Sequence, residues 1–404
     1  MPGPLHGFTV LDLTAMLSGP WCTTILGDQG AEVIKVEVPG KGDHTRSLRN
    51  QRGGLSANFL HINRNKRSLT LDLKSAAGRA VFFDLAARAD VVIQNFRPGV
   101  VERLGIDYDA VARVNPRAVY LSLSGFGETG PYSHKPVYDP VIQALSGLTT
   151  IQAGADTERP KLVRTVLPDK LSAVTAAQAV TAALLARERS GEGQHVRLSM
   201  LDAVMAFLWA SDFNAQTFPD RPTTNQRAAS FIDLIYETAD GYMTVAVMSN
   251  KEWEALTRAF ERPDWLTDPR FATPAARDSH INERLEMTQE VLRTRTTADW
   301  LERLEREGVP CAPALTRNDV LDHPQVAASG ILVEIEHPTA GRLRQARPAA
   351  RFAGTPAELR RGAPELGEHN DEILRELGRS DAEIEELRAA GVIGSEMLRA
   401  SAAE

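Results

Sequence analysis

Among the residues able to do chemistry at a carbonyl carbon, Asp169 has the most pointed setting. It follows Pro168 at the head of an Ala-rich apolar run that continues to Arg187. That run carries Leu171, Val174, Val180, Leu184 and Leu185 with few Gly or Pro, which predicts a largely buried helix. A carboxylate at such a start faces unpaired backbone N–H groups and the positive end of the helix dipole. Two readings follow. Asp at a helix start ordinarily serves as a cap, accepting from the first-turn amides. The alternative is a nucleophile, because the same amides favour the charged form that attack requires.

Other patterns exclude more than they establish. Gly125-Phe126-Gly127-Glu128-Thr129-Gly130 matches the dinucleotide fingerprint G-x-G-x-x-G and follows a strand-like run. Pro131 comes straight after it, and His134-Lys135-Pro136 soon follows, so no helix opens there to receive a pyrophosphate. These glycines instead suit a loop whose backbone lies close to a ligand. None of the nine histidines pairs with another His or a Cys at ligand spacing, so no metal site is expected. No Ser stands in a Gly-x-Ser-x-Gly elbow. The basic cluster Arg64-Asn65-Lys66-Arg67 fits a solvated loop and a phosphate contact equally well. Cys22 and Cys311 are the only cysteines; two such residues form no disulfide framework, and Cys22, in an apolar run, reads as a small buried hydrophobe.

The elements that must position Asp169 follow from periodicity and turn residues. Phe8–Leu13 and Glu32–Glu37 read as strands around a helix from Ser18 to about Gln29, closed by Gly30, which makes a βαβ unit. Pro39–Leu55 reads as an irregular loop. A strand at Ser68–Leu73, a helix at Ala76–Arg88 and strands at Asp90–Phe96 and Ala118–Leu123 continue the alternation. The class is therefore α/β, with a doubly wound, Rossmann-like large domain. A composition rich in Pro, Thr, Asn and Arg marks a linker at 219–227. A smaller α+β domain over 228–325 follows, and 326–404 returns to the large domain begun by 1–218.

With 404 residues, 43% hydrophobic and 25% charged, the chain supports two domains and a large core. A net charge of −7 and no long basic run argue against nucleic acid as a partner. No segment reads as a signal peptide or a membrane span, so a cytoplasmic location is expected, with no membrane partner.

Several ordered motifs together carry a resemblance. They are Leu11-Asp12-Leu13-Thr14 with Ser18-Gly19-Pro20, Gly30 to Glu37, Gly42-Asp43-x-Thr45-Arg46, Asn65-Lys66-Arg67-Ser68, Asn95 to Gly99, Gly125-Phe126-Gly127, Pro168-Asp169, Gly191-x-Gly193-Gln194, Met200-x-Asp202-Ala203, Gly308 to Pro313 and Leu366-Gly367-Glu368-His369. In this order, over nearly the whole length, the chain resembles the class III CoA-transferases, the family of formyl-CoA:oxalate and carnitine CoA-transferases.

The resemblance implies that Asp169 is the nucleophile. It would form mixed anhydrides and an aspartyl-CoA thioester while CoA passes from an acyl-CoA donor to a carboxylic acid acceptor. Coenzyme A is then a substrate, and no cofactor is bound permanently. The CoA-contacting positions implied are Leu71, Asp72, Leu73, Lys74, Asn95, Phe96, Arg97 and Arg103, and the substrate pocket falls on Leu17, Ser18, Tyr138 and Asp139. The family's architecture implies a homodimer of interlocked rings. Formyl-CoA:oxalate transferases carry Gln at the position of Leu17, Arg at that of Val38, and a glycine tetrad where 227–238 has none. Those departures point away from oxalate as the acceptor and towards a larger or less polar acid. Two alternatives share the framework: an α-methylacyl-CoA racemase and an acyl-CoA lyase or hydrolase using the same aspartate. The racemases carry a His-Asp pair where this chain has Tyr138-Asp139. A phenol is a poor proton shuttle at neutral pH, although His134 is close in sequence.

Overall fold

A computed structural model describes residues 3–220 and 234–395. The chain divides into two units, one of residues 1–149, 161–213 and 330–404 and the other of 150–160 and 214–329. From 221 on, the segment expected as a linker lies outside the described residues, as does most of 227–238, where a glycine tetrad would fall.

The first unit is built on β1 (Thr9–Asp12), α1 (Ser18–Asp28), β2 (Glu32–Glu37), β3 (Lys66–Thr70), α2 (Ala76–Ala86), β4 (Val91–Gln94), β5 (Val119–Ser124), α3 (Asp139–Leu145), α4 (Leu167–Ser190), β6 (His195–Ser199) and α5 (Met200–Trp209). The six strands form one sheet in the order β3-β2-β1-β4-β5-β6. Every neighbouring pair is parallel. This is the doubly wound arrangement, with the order reversing between β1 and β4.

Parallel strands buried on both faces need two apolar layers, and two separate clusters supply them. Leu5, Val10, Cys22, Leu26, Val33, Val91, Ile93, Val119 and Leu121 pack with Ala173, Ala176, Ala177, Val180, Ala183 and Leu184 of α4. On the other face Leu11, Ile34, Leu69, Leu71, Val92 and Phe82 pack with Ile373, Leu374, Ile384 and Ile393 from the end of the chain.

The helix expected at Asp169 forms, and Val180 and Leu184 are buried as expected, but the rest of its buried stripe differs. Val174 and Leu185 are 54% and 55% exposed, and the inward residues are chiefly alanines. A stripe of small side chains lets α1 and α4 pack closely, and the larger residues are thereby left facing outward.

The basic cluster is neither solvated nor free to meet phosphate. Arg64, Lys66 and Arg67 are all buried, and Lys66 and Arg67 open β3 two residues before the expected start. Arg64 forks onto Asp28 (3.1 and 2.8 Å), and Lys66 Nζ reaches Asp12 at 2.9 Å. Arg67 meets Glu32 at 2.6 Å and Glu372 and Glu376 at 2.8 and 2.7 Å. Burial requires such partners, and carboxylates distant in sequence provide them. The segment read as an irregular loop is likewise anchored: Arg46 donates to both oxygens of Glu37 (2.9 and 2.7 Å) and to Pro364 O (2.9 Å).

The second unit has an antiparallel sheet of β7 (Ile235–Glu237), β8 (Tyr242–Val245) and, later in the chain, β9 (Cys311–Pro313), with β8 central. Helices α6 (Asn250–Ala259), α7 (Ile281–Leu292) and α8 (Thr297–Glu307) cover it. Its own core holds Trp253, Trp265, Phe271 and Trp300. Among the described residues no helix is long and apolar enough to cross a membrane.

Candidate active site

A cavity of about 450 Å³ opens at the carboxyl ends of β1, β4 and β5. Met16–Ser18 after β1, Asn95–Pro98 after β4 and Leu123–Phe126 around the end of β5 line it, together with Tyr138–Pro140, Val166 and Asp169. It sits where the strand order reverses. There the connections leave towards opposite faces of the sheet, and the crevice between them is where open α/β sheets take ligands.

Asp169 is the third residue of α4, and Val166, at the cap position, contributes no side-chain bond. Pro168 is tolerated there because its missing N–H would lack a helical partner anyway. The cap is supplied from elsewhere: Asp139 Oδ2 accepts the Asp169 amide at 3.2 Å. Asp139 starts α3, and Gln143 Nε2, one turn on, holds its other oxygen at 2.6 Å. Gln143 in turn accepts the Val163 amide at 2.9 Å, which ties down the segment leading to Asp169. The Asp169 carboxylate is thereby released from capping and turned to the cavity that Ser18 also lines, where the serine hydroxyl favours its charged form.

The electrostatics differ from the expectation at a helix start. The Asp169 carboxyl is pushed up to about 6, first by burial and then by the Asp139 carboxylate; Ser18 pulls it part of the way back. Burial also raises Asp139. A helix N-terminus favours the anion, but here Asp139 takes the nearest amide and adds a like charge. The result is a carboxylate that is ionised at neutral pH yet more basic, and so more nucleophilic, than an exposed aspartate.

The residues singled out in sequence separate into two groups. Leu17, Ser18, Asn95, Phe96, Arg97, Tyr138, Asp139 and Asp169 share the cavity. Leu71, Asp72, Leu73, Lys74 and Arg103 do not line it. Leu71 is packed in the core, and the Asp72 amide donates to Val392 O at 2.8 Å. Lys74 is exposed beyond β3. The Arg103 guanidinium folds back to Gly99, next to the Arg97-Pro98 loop.

Sequence reasoning passed over Met16, Leu48, Asn58 and Ser133, which also line the cavity, and gave no pocket role to Thr45, Lys135 and Met200, which it met only within longer motifs. Nothing in the local patterns assigns them to a pocket, since they come from loops and element ends that only the fold brings together. Gly125 has a reason other than ligand approach: a Cβ there would lie 2.3 Å from Val137 on the opposite side of the loop. No helix follows the glycines between β5 and α3, as Pro131 and Pro136 predict.

Residues 5–370 match the CoA-transferase family III. The acetyl-CoA:oxalate CoA-transferase of Acetobacter aceti is 34% identical, covering 94% of this chain and 97% of its own. Human succinyl-CoA:glutarate CoA-transferase is 32% identical, covering 96% and 90%. Among solved structures, a Mycobacterium tuberculosis protein in an orthorhombic crystal form is 33% identical with a TM-score of 0.81, covering 92% of this chain and 99% of its own. A CaiB/BaiF family protein from Brucella suis is 30% identical with a TM-score of 0.78, covering 93% and 100%. With that agreement along almost its whole length, the chain belongs to the CoA-transferase family III.

Proposed function

We propose that the protein moves CoA from an acyl-CoA to a carboxylic acid through covalent intermediates on Asp169. One observation carries this reading: Asp169 is the carboxylate at the cavity whose helix-capping duty has been transferred to a neighbour. An ionised Asp169 attacks the thioester carbonyl and expels the CoA thiolate, leaving a mixed anhydride. The thiolate then attacks the aspartyl carbonyl; the donor acid leaves and aspartyl-CoA thioester remains. The acceptor carboxylate attacks that thioester, and the released thiolate takes the acceptor acyl group from the second anhydride, restoring Asp169.

Ser18 keeps the attacking oxygen oriented and stabilises the carboxylate between turnovers. The Asn95-Phe96-Arg97 loop meets the CoA, Phe96 packing on its apolar portion. Lys74, Arg97 and Arg103 offer exposed cations to its phosphates. Leu17, Leu48, Phe126 and Val137 give the cavity an apolar side, which supports an acceptor larger or less polar than oxalate. Among the described residues no histidine lines the cavity, which weighs against the racemase, since that exchange needs a second base besides Asp169.

Incubation with acyl-CoA followed by hydroxylamine is expected to convert Asp169 to a hydroxamate detectable by peptide mass spectrometry, and Asp169→Ala to give none. An unmodified Asp169 in a protein that still turns over would defeat the covalent reading. A matrix of acyl-CoA donors and acids then identifies the substrates. Oxalate emerging as the best acceptor would defeat the apolar-acceptor reading.

We further propose a homodimer. Val174 and Leu185 on α4 and Phe207 and Trp209 on α5 are large exposed apolar residues, of the kind that a subunit contact covers.

A further inference from the structure

The chemistry above uses the Ser18 hydroxyl, yet Ser18 begins α1 directly after a loop that would be free to move without side-chain anchors. The N–H and C=O of Thr14 and Ala15, and the amide of Met16, are each held by a side chain. Asp12 Oδ1 accepts the Thr14 amide at 2.9 Å. Lys35 Nζ, from β2, donates to Thr14 O at 2.8 Å. Asn95 accepts the Ala15 amide at 3.0 Å and donates to Ala15 O at 2.8 Å. Asp43 Oδ1 accepts the Met16 amide at 3.2 Å. Gly19 allows the loop to fold onto the first turn of α1, because a Cβ there would lie 2.3 Å from that of Thr14.

Met16 has φ +72°, a left-handed conformation costly for a residue with a side chain. Such a conformation persists only where its surroundings impose it. The anchor that reaches Met16 is a fully buried ion pair, with Lys35 Nζ 2.9 Å from Asp43 Oδ2. Asp43 is itself fixed by the Thr45 amide and hydroxyl at 2.9 and 2.8 Å, and its own amide donates to Glu37 at 2.9 Å. Burial raises the Asp43 carboxyl, but Lys35 and Thr45 bring it below the usual range, so the anchor stays charged.

We infer that Lys35 and Asp43 are positioning residues of the active site: their buried pair holds Met16 left-handed and so aims the Ser18 hydroxyl at the Asp169 carboxylate. Neither touches the cavity; both act through Met16 and Leu17. The inference rests on Asp169 being the working carboxylate, and its test is chosen to need no turnover. The charged groups around Asp169 are Asp139 from α3, Lys170 on its own helix, and Arg97 and Lys135 on the cavity wall. None of them is altered by substitution at residue 18, 35 or 43.

The experiment is a 13C NMR titration of the Asp169 side-chain carboxyl in protein labelled at Asp, with the resonance assigned by its loss in Asp169→Asn. Ser18→Ala is expected to raise the midpoint by about one pH unit, the worth of one hydrogen bond to a carboxylate. Asp43→Asn is expected to raise it comparably, and the double variant to move no further than Ser18→Ala alone. Asp28→Asn, which breaks the buried pair with Arg64, serves as the control for general destabilisation and is expected to leave the midpoint unchanged. If Asp43→Asn does not fold, Lys35→Met with Asp43→Leu removes both charges at similar volume, a replacement buried pairs often tolerate, and is held to the same rise in midpoint. A wild-type midpoint in the folded Asp43 variant, or rises that add in the double variant, overturns the inference. Failure of the hydroxylamine trap would instead count against the proposed reaction and leave this titration intact.

Discussion

The position of Asp169 between burial, Asp139 and Ser18 has consequences for activity and stability that run in opposite directions. Attack requires the ionised form, so the thiol burst on mixing with acyl-CoA is expected to rise with pH around a midpoint near the value of about 6 set by that environment. A burst that is flat between pH 5 and 7.5 would contradict it. Stability moves the other way. The folded protein holds the Asp169 proton more tightly than the unfolded chain does, so stability is lost as pH rises from the ordinary carboxylate value through about 6. At pH 7.5 the ionised carboxylate thus destabilises the fold by up to about 3 kcal/mol, since each tenfold change in proton affinity is worth about 1.4 kcal/mol. Asp169→Asn is therefore expected to be inactive but more stable than the parent in urea at pH 7.5, with the difference vanishing near pH 4. Equal midpoints at pH 7.5 would show that the neighbouring charges do not act as described.

At the scale of elements, the closest dependence is between α1 and α4. Ala173 and Ala176 are fully buried on the face of α4 that packs with α1 and the sheet, so Ala176→Leu overfills it and is expected to cost roughly 1–3 kcal/mol in chemical denaturation. The pair Lys66–Asp12 is less forgiving still: Lys66→Met leaves Asp12 buried without its ion-pair partner, a loss of roughly 3–5 kcal/mol. These two elements also mark how much was legible in sequence. The βαβ start could be read because Gly30 and Pro20 punctuate it and the strands between are apolar. The helix at Asp169 could be read, but not its orientation, because alanine is compatible with either face and only the proximity of α1 selects it. The charges of Arg64, Lys66 and Arg67 could not be read as buried, because the carboxylates that make this possible lie at residues 12, 28, 32, 372 and 376. Much of the cavity was legible through the ordered motifs, whereas Met16 and Lys135 had no local signature.

For the whole molecule, the proposed dimer gives the sharpest expectation. Light scattering on the eluting protein is expected to give twice the chain mass of 44.2 kDa. If the rings interlock, tagged and untagged dimers mixed after purification exchange no subunits without unfolding. Val174→Asp with Leu185→Asp tests whether the outward stripe of α4 is covered; a dimer unaffected by both would place the contact elsewhere.

The first unit is assembled from three separate stretches of sequence, and the last of them covers one face of the sheet. During synthesis the six strands are complete by Ser199, but Ile373, Ile384 and Ile393 have not yet been made. At usual elongation rates the ribosome needs ~10–40 s to reach them. Through that interval β3, at the edge of the sheet, lacks Glu372 and Glu376 for Arg67, and Leu11, Ile34 and Leu69 lack their C-terminal cover. Nascent chains stalled before Asn370 should accordingly be captured by chaperones or be lost to aggregation, whereas released full-length chains should not. The sheet that carries the cavity is early in sequence but late to be sealed.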